Sequence, residues 1–325
     1  MCVILLYMRA LITGIFGQDG TILKSILVNN GFKVFGVARP NTRSSLQAVA
    51  IEAHLNLKSD GNTEIDLSDA NTCNDYLDFV KPDRIFHLAA VHGSSLESNV
   101  IECISSSEMY NCHVTITTNL LEWIKRNQET RLALALSSQM YNPYQNFRKV
   151  SESDDCDPQN IYGKTKLEAF NLLKKYRKDF NLFLTGLILF NHTSSHSRPS
   201  FLFKSLANQF IQIQQRKTNK IYLNNAFQKI DICDATEVCD AIFRAIEYNS
   251  PEDYVISSGR LNSIETIILE TAELLGLNIK KEDIISSQNS TTTGAICGDS
   301  RKALNLLGWQ ARKTPSQILR DMTVK

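Results

Sequence analysis

Short apolar runs alternate along the first two thirds of the chain with longer stretches whose apolar positions recur at helical spacing. Runs at 9–13 (RALIT), 33–37 (KVFGV), 84–88 (RIFHL), 131–136 (RLALAL) and 182–190 (LFLTGLILF) predict strands. Their apolar residues are nearly continuous instead of alternating, the pattern of parallel strands covered on both faces. Between them, 21–30, 111–126 and 164–178 predict helices. Strand–helix alternation of this kind builds an α/β fold, a doubly wound parallel sheet with right-handed crossovers. The last third is less regular, with helices predicted at 237–247 and 263–275 and a short helical tail after Gly298. It is expected to form a smaller α/β cap on the carboxyl edge of the sheet, where such folds bind ligands. The expected division is a main domain over 1–190, to which 229–256 returns, and a cap made of 191–228 and 257–325.

Charge and cysteine usage narrow the class. The 325 residues carry 35 Lys and Arg against 34 Asp and Glu, a net charge of +1. No basic surface advertises nucleic acid, and no acidic excess points to disorder. The eight cysteines include no C-x-x-C pair, which is the usage of reduced, buried thiols and not of a disulfide frame or zinc site. The first apolar run, 3–7, is far shorter than the roughly 20 residues of a membrane span and lacks the features of a secretory signal. A cytoplasmic protein is expected, with residues 1–7 a leader ahead of Met8 and the first strand.

Gly14, Gly17 and Gly20 form a G-x-x-G-x-x-G run between the first strand and the first helix. Glycines there allow a tight turn and a close backbone approach, so that a diphosphate can rest on N–H groups at the helix start. Gly14, Phe16, Gly17, Gln18, Asp19 and Gly20 are the candidate cofactor turn. The second strand ends in Ala38-Arg39, with Arg43 beyond, and not in the carboxylate that usually accepts a ribose 2′-hydroxyl. Two guanidinium groups suit a 2′-phosphate, so NADP is the expected cofactor, with NAD as the alternative. Two solvated loop arginines are the competing reading. Asp66-Leu67 follows a short strand and could hold the adenine edge, with a turn residue as the alternative for Asp66.

Tyr162 and Lys166 stand four apart at the start of a predicted helix, which places them on one face. A nearby ammonium favours the phenolate and is expected to lower the Tyr pKa from about 10 by roughly 1–3. By itself Tyr-x-x-x-Lys is a common accident. It gains weight from Ser137-Ser138 at the end of a strand, where a hydroxyl would face the same crevice. A Ser to orient an oxygen, a Tyr to exchange its proton and a Lys to tune the Tyr suit hydride transfer with a nicotinamide.

With these motifs in place, the chain resembles the extended short-chain dehydrogenase/reductases. Within them it is similar to the GDP-mannose 4,6-dehydratase / GDP-4-keto-6-deoxymannose reductase branch of nucleotide-sugar enzymes. The resemblance runs nearly end to end: ALITGIFGQDG (10–20), HLAA (87–90), SSQMY (137–141), YGKTK (162–166), LFNHTS (189–194), DYVISSG (253–259) and GDSRKALNLLGW (298–309). It implies a Rossmann-type fold and catalysis by Ser137, Tyr162 and Lys166. The cofactor would also contact Leu88, Ala89, Ala90 and His192, besides Tyr162 and Lys166. A nucleotide-sugar substrate, GDP-linked, would meet Gln139, Asn191, Arg198, Lys204 and Arg260, with Lys229 as a further cation. The resemblance also implies a homodimer or homotetramer, for which 111–126 and 164–178 are the interface candidates.

One departure decides the expected reaction. The family's Thr-Ser-Glu-Leu-Tyr stretch reads Ser137-Ser138-Gln139-Met140-Tyr141 here, so an amide replaces the Glu that removes a carbon-bound proton. An amide is no base at accessible pH, and losing a general base lowers a rate by roughly 10²–10⁴. The expectation is therefore an NADP-dependent oxidoreductase at C4 of the sugar, reducing a GDP-4-keto-6-deoxy sugar. A 4,6-dehydratase using another acid, an epimerase and a non-catalytic nucleotide-binding protein are the alternatives. Among the other residues, His87 is read as a core or crevice residue and His92 as a structural hydrogen-bonding group. Cys233 and Cys239 are read as buried apolar residues, and Glu152, Asp154, Asp155 and Asp157 as a solvated loop.

Overall fold

The structure of the chain, a computed structural model, describes residues 7–40, 62–91, 105–143, 149–288 and 294–324. Seven strands make one sheet: β1 (Arg9–Thr13), β2 (Lys33–Ala38), β3 (Asn62–Glu64), β4 (Arg84–His87), β5 (Arg131–Ser137), β6 (Leu184–Leu189) and β7 (Tyr254–Ile256). Their order is β7-β6-β5-β4-β1-β2-β3, and every neighbouring pair runs parallel. The order reverses between β1 and β4, the switch point at which such sheets open a crevice at their carboxyl ends. All residues of β4 and β6 are buried, which is why their sequences show no alternation.

The connecting helices are α1 (Gln18–Asn29), α2 (Ala70–Val80), α3 (Ser106–Tyr110), α4 (Ile116–Arg126), α5 (Ile161–Phe180), α6 (Leu202–Gln214), α7 (Ala235–Glu247), α8 (Ile264–Leu274), α9 (Arg301–Leu307) and α10 (Pro315–Asp321). Leu23 and Leu27 of α1 pack with Val238, Ile242 and Ile246 of α7 over one face of the sheet. Leu77 of α2, Leu120 and Ile124 of α4, and Leu173 of α5 cover the other. A third apolar cluster lies apart from both and joins α6, α8 and α10 through residues such as Phe210, Ile267 and Ile318.

The expected strands and helices are present, with differences that have local causes. Helix α5 begins at Ile161 because Asn160 caps it, its side chain accepting from the Gly163 N–H at 2.8 Å. Helix 111–126 starts five residues early at α3 and passes through a π-turn, Asn111–Thr115. The sequence reading missed α2, whose buried stripe is only Cys73, Leu77 and Val80. It also missed α6, and it missed β7, whose three residues are too few to show a period. The run 182–190 is shorter as a strand, and Asn191–Thr193 pairs separately with Ile232–Asp234. The six described cysteines are all free thiols. No described helix is long and apolar enough to cross a membrane, and the described residues hold no metal-binding cluster of His, Cys, Asp and Glu.

Candidate active site

The glycine turn has the geometry that its spacing predicts. Gly14 adopts φ +77°, open to glycine at no steric cost, and its N–H donates to the Val37 carbonyl at 2.8 Å. A Cβ on Gly14 would lie 3.1 Å from the Ala89 backbone, and one on Gly20 would lie 2.4 Å from the Gly14 carbonyl oxygen. Gly17, with extended dihedrals, starts α1, and a helix start carries N–H groups without intrahelical acceptors. Phe16 is buried beneath the turn. The lip formed by Leu88, Ala89 and Ala90 at the end of β4 is half-exposed. It is anchored by Thr13, whose hydroxyl accepts from the Ala89 N–H at 3.1 Å and pairs with His87 Nδ1 at 2.7 Å. Burial holds His87 down at about 3, so it is a neutral core residue, as expected.

An ion pair ties this turn to the strand after β6. His192 Nε2 is 2.9 Å from Asp19 Oδ2, and its Nδ1 lies 2.8 Å from the Phe190 carbonyl. Burial alone would pull the imidazole down, but the Asp19 charge and both bonds raise it to about 9. Gln18 completes the tie, accepting from Ser194 Oγ at 3.1 Å. His192 thus stands at the turn as a cation that neutralises Asp19. Arg39 is exposed at the end of β2, while Arg43 and His92 lie outside the described residues. Asp66 takes its turn alternative: Oδ1 accepts from the Ser68 N–H and hydroxyl at 2.9 and 2.6 Å. Leu67 is buried, and its carbonyl accepts from Asn119.

The Ser, Tyr and Lys side chains converge where β5 meets α5. Ser137 ends β5 and shares a hydrogen bond with Tyr162. Their approach depends on Gly163, since a Cβ there would sit 2.2 Å from the Gln139 carbonyl oxygen. Lys166 is 3% exposed, and its Nζ donates to the Ala135 carbonyl at 2.8 Å while lying 5.9 Å from the centre of the Tyr162 ring. Burial pulls the ammonium down to about 8. The expected lowering of the Tyr162 pKa is corrected: burial pushes the phenol above its ordinary value, with the Ser137 bond opposing. Lys166 turns to a carbonyl and is itself desolvated, so it does not offset that burial.

A cavity of about 220 Å³ opens beside this group, lined by Ser138, Gln139, Asn160, Asn191, Lys229 and Asp231 among others. The Gln139 Oε1 accepts from Asn160 Nδ2 at 3.0 Å, and Asn191 Nδ2 donates to the Asp231 carbonyl at 3.0 Å. Asp231 is the one carboxylate among the described lining residues. It is 1% exposed, and its oxygens accept from the Ser258 N–H and hydroxyl, the Gly259 N–H and the Gly298 N–H at 2.6–3.2 Å. Such a saturated, enclosed group fastens three segments and has no free lone pair aimed at a ligand. Three expected substrate cations are not brought together. Arg198 and Arg260 are exposed and absent from the described lining, and Lys204 Nζ donates to the Ser195 carbonyl at 2.8 Å. Lys229 takes that place in the wall. A larger groove of about 400 Å³ lies between Ser151 and Lys302, away from residues 138–139 and 160; the described lining of neither space includes Ser137, Tyr162 or Lys166.

Sequence reasoning missed Asn160, which a helix-cap signal could have found, and His113, which only its burial beside Tyr162 reveals. Known proteins resemble the whole chain. The family described as GDP-mannose 4,6 dehydratase matches residues 11–322. A GDP-mannose 4,6 dehydratase of Arabidopsis thaliana is 27% identical over 96% of this chain and 88% of its own length. The fold matches UDP-glucose 4-epimerase of Thermotoga maritima at TM-score 0.80, 19% identity and 97% coverage of each chain. It also matches RMD of Pseudomonas aeruginosa, solved with NADPH, at TM-score 0.74 and 18% identity, covering 97% of this chain and 98% of that one. A glycine turn opening the first helix, a Ser–Tyr–Lys meeting point and a match across almost the entire length lead to one conclusion: the chain belongs to the GDP-mannose 4,6 dehydratase family.

Proposed function

We propose that this protein is an NADP-dependent oxidoreductase that reduces a 4-keto, GDP-linked sugar at C4 without removing water. The observation that carries the reading is Gln139, whose amide is bound to Asn160 at the position the family gives to a carboxylate base. Among the described residues, the one acid in the cavity wall is Asp231, saturated by four donors. Elimination needs a group that takes a proton from carbon, and an amide does not.

The residues present fit the cofactor. Three glycines leave room where side chains would fill the turn, and His192 cancels the Asp19 charge that would repel a diphosphate. Arg39, at the end of β2 with no carboxylate beside it in sequence, suits a 2′-phosphate. When bound, NADPH supplies the hydride. Ser137 holds the sugar's carbonyl oxygen through its hydroxyl, and Tyr162 delivers the proton to that oxygen. Burial, which keeps the phenol protonated, suits Tyr162 to the role of acid. Lys166, cationic but desolvated, is placed to hold the ribose and to stabilise the phenolate left behind.

A second reading, a 4,6-dehydratase, is favoured by the family match over 11–322. One experiment separates the two. The protein is incubated with GDP-mannose and NADP, and separately with GDP-4-keto-6-deoxymannose and NADPH, and products are followed by mass spectrometry. Consumption of NADPH with the keto sugar, and an intact hexose from GDP-mannose, is the expected result. Loss of water from GDP-mannose would overturn the reductase reading.

A further inference from the structure

Among the described residues, a ring buried against the reacting groups that the chemistry above leaves unused is that of His113. It is 1% exposed and sits in the π-turn between α3 and α4. A π-turn inserts an extra residue into a helix and recurs at functional sites. The imidazole stands edge-to-face with the Tyr162 ring, centroids 5.1 Å apart at 89°, a favourable aromatic geometry. Both ring nitrogens are engaged. The Val91 N–H donates to Nε2 at 3.2 Å, and Nδ1 lies 2.8 Å from Thr165 Oγ1. The Thr165 hydroxyl donates to the Tyr162 carbonyl at 3.0 Å, so its oxygen accepts from Nδ1. A nitrogen that receives an N–H cannot carry a proton. His113 is therefore the neutral Nδ1–H tautomer, linking Val91 beyond β4 to the first turns of α5.

Among the described residues, the apolar side chains packed with Tyr162 in this corner are Ala89, Val91, Met109 and Cys112, and the phenol shares its hydrogen bond with Ser137, so the imidazole is the one aromatic face set against the ring here. Lys166 passes the ring to reach the Ala135 carbonyl. Resting on the reading of Tyr162 as the proton donor, we infer that His113 is a positioning residue that fixes the Tyr162 ring in its reactive orientation.

Two variants divide its parts. His113→Asn retains an N–H for Thr165 but has no ring, and His113→Phe retains a ring but no polar bonds. The ring signals of Tyr162, identified by their loss in Tyr162→Phe, are followed by NMR of the full chain carrying ¹³C-labelled tyrosine. Signals from the two ring edges are expected to be distinct in the unmodified protein and in His113→Phe, and merged by fast flipping in His113→Asn. With GDP-4-keto-6-deoxymannose, kcat of His113→Asn is expected to fall about 100-fold, with KM and NADPH affinity within about threefold. His113→Phe is expected to keep a kcat closer to that of the unmodified protein. Unchanged Tyr162 signals in His113→Asn would overturn the inference. So would equal loss of NADPH binding and kcat in both variants, the mark of a purely structural role. If the unmodified protein fails to turn over the sugar, the functional reading fails, and the ring signals alone decide the role of His113.

Discussion

Replacing Asp19 by asparagine tests the electrostatic tie at the cofactor turn. In the native fold His192 titrates at about 9 against an ordinary 6.5. At about 1.4 kcal/mol per pH unit, that difference is an upper bound of about 3 kcal/mol of stability from the pair. The side chains are only 16% and 22% exposed, so solvent screens them weakly. Because the folded pKa is raised, the contribution is fully present below pH 6.5 and disappears as pH rises through about 9. The amide that replaces the carboxylate keeps a hydrogen-bonding group but no charge. Removing the charge also relieves the penalty of burying a carboxylate, so the pH dependence, not the absolute change, carries the test. Urea unfolding of both proteins is followed by tryptophan fluorescence below pH 6.5 and above pH 9. The stability difference between them should shrink by about 2–3 kcal/mol over that interval. Titration of His192 by NMR should give a midpoint near 9 in the unmodified protein and at or below 6.5 in Asp19→Asn. A difference that does not vary with pH, or a native His192 midpoint at 6.5 or lower, would refute the reasoning.

Two further outcomes follow from close contacts and charge. Gly163→Ala places a Cβ 2.2 Å from the Gln139 carbonyl oxygen, so it should destabilise the fold by about 1–3 kcal/mol and separate Tyr162 from Ser137; an unchanged urea midpoint would contradict that contact. Arg39→Gln should weaken NADPH binding by about 10–100-fold and leave NADH within about threefold, since a charge-assisted bond is worth about 1.5–3 kcal/mol; parallel changes for both cofactors, read by fluorescence titration, would remove Arg39 from the 2′-phosphate.

Much of the fold was legible because covered parallel strands write themselves as continuous apolar runs, as in β1, β4 and β5. What escaped was short or sparsely marked. β7 has three residues, and the buried stripe of α2 relies on a cysteine. At the site, local motifs were readable: the glycine turn, Tyr162 with Lys166, and Ser137 at a strand end. Placement of distant partners was not. Whether a cation far along the chain from α5 reaches the cavity depends on loop geometry, which explains why Lys229 lines the wall and Lys204 binds a carbonyl. The Tyr162 pKa also escaped, because spacing predicts a neighbouring ammonium but not the burial that outweighs it. Asp66 showed its turn role only once its acceptor was seen serving Ser68.

Asp231 gathers donors from residues 258, 259 and 298 onto one carboxylate. These are backbone donors, except for the Ser258 hydroxyl, so most of the fastening is indifferent to the side chains around it. Two of the donor positions are nevertheless tied to glycine: Gly259 holds φ +69°, and a Cβ on Gly298 would lie 2.4 Å from Ser257 Oγ. The support beneath the cavity wall therefore accepts a change of chemistry among the lining side chains only where residues 259 and 298 stay glycine.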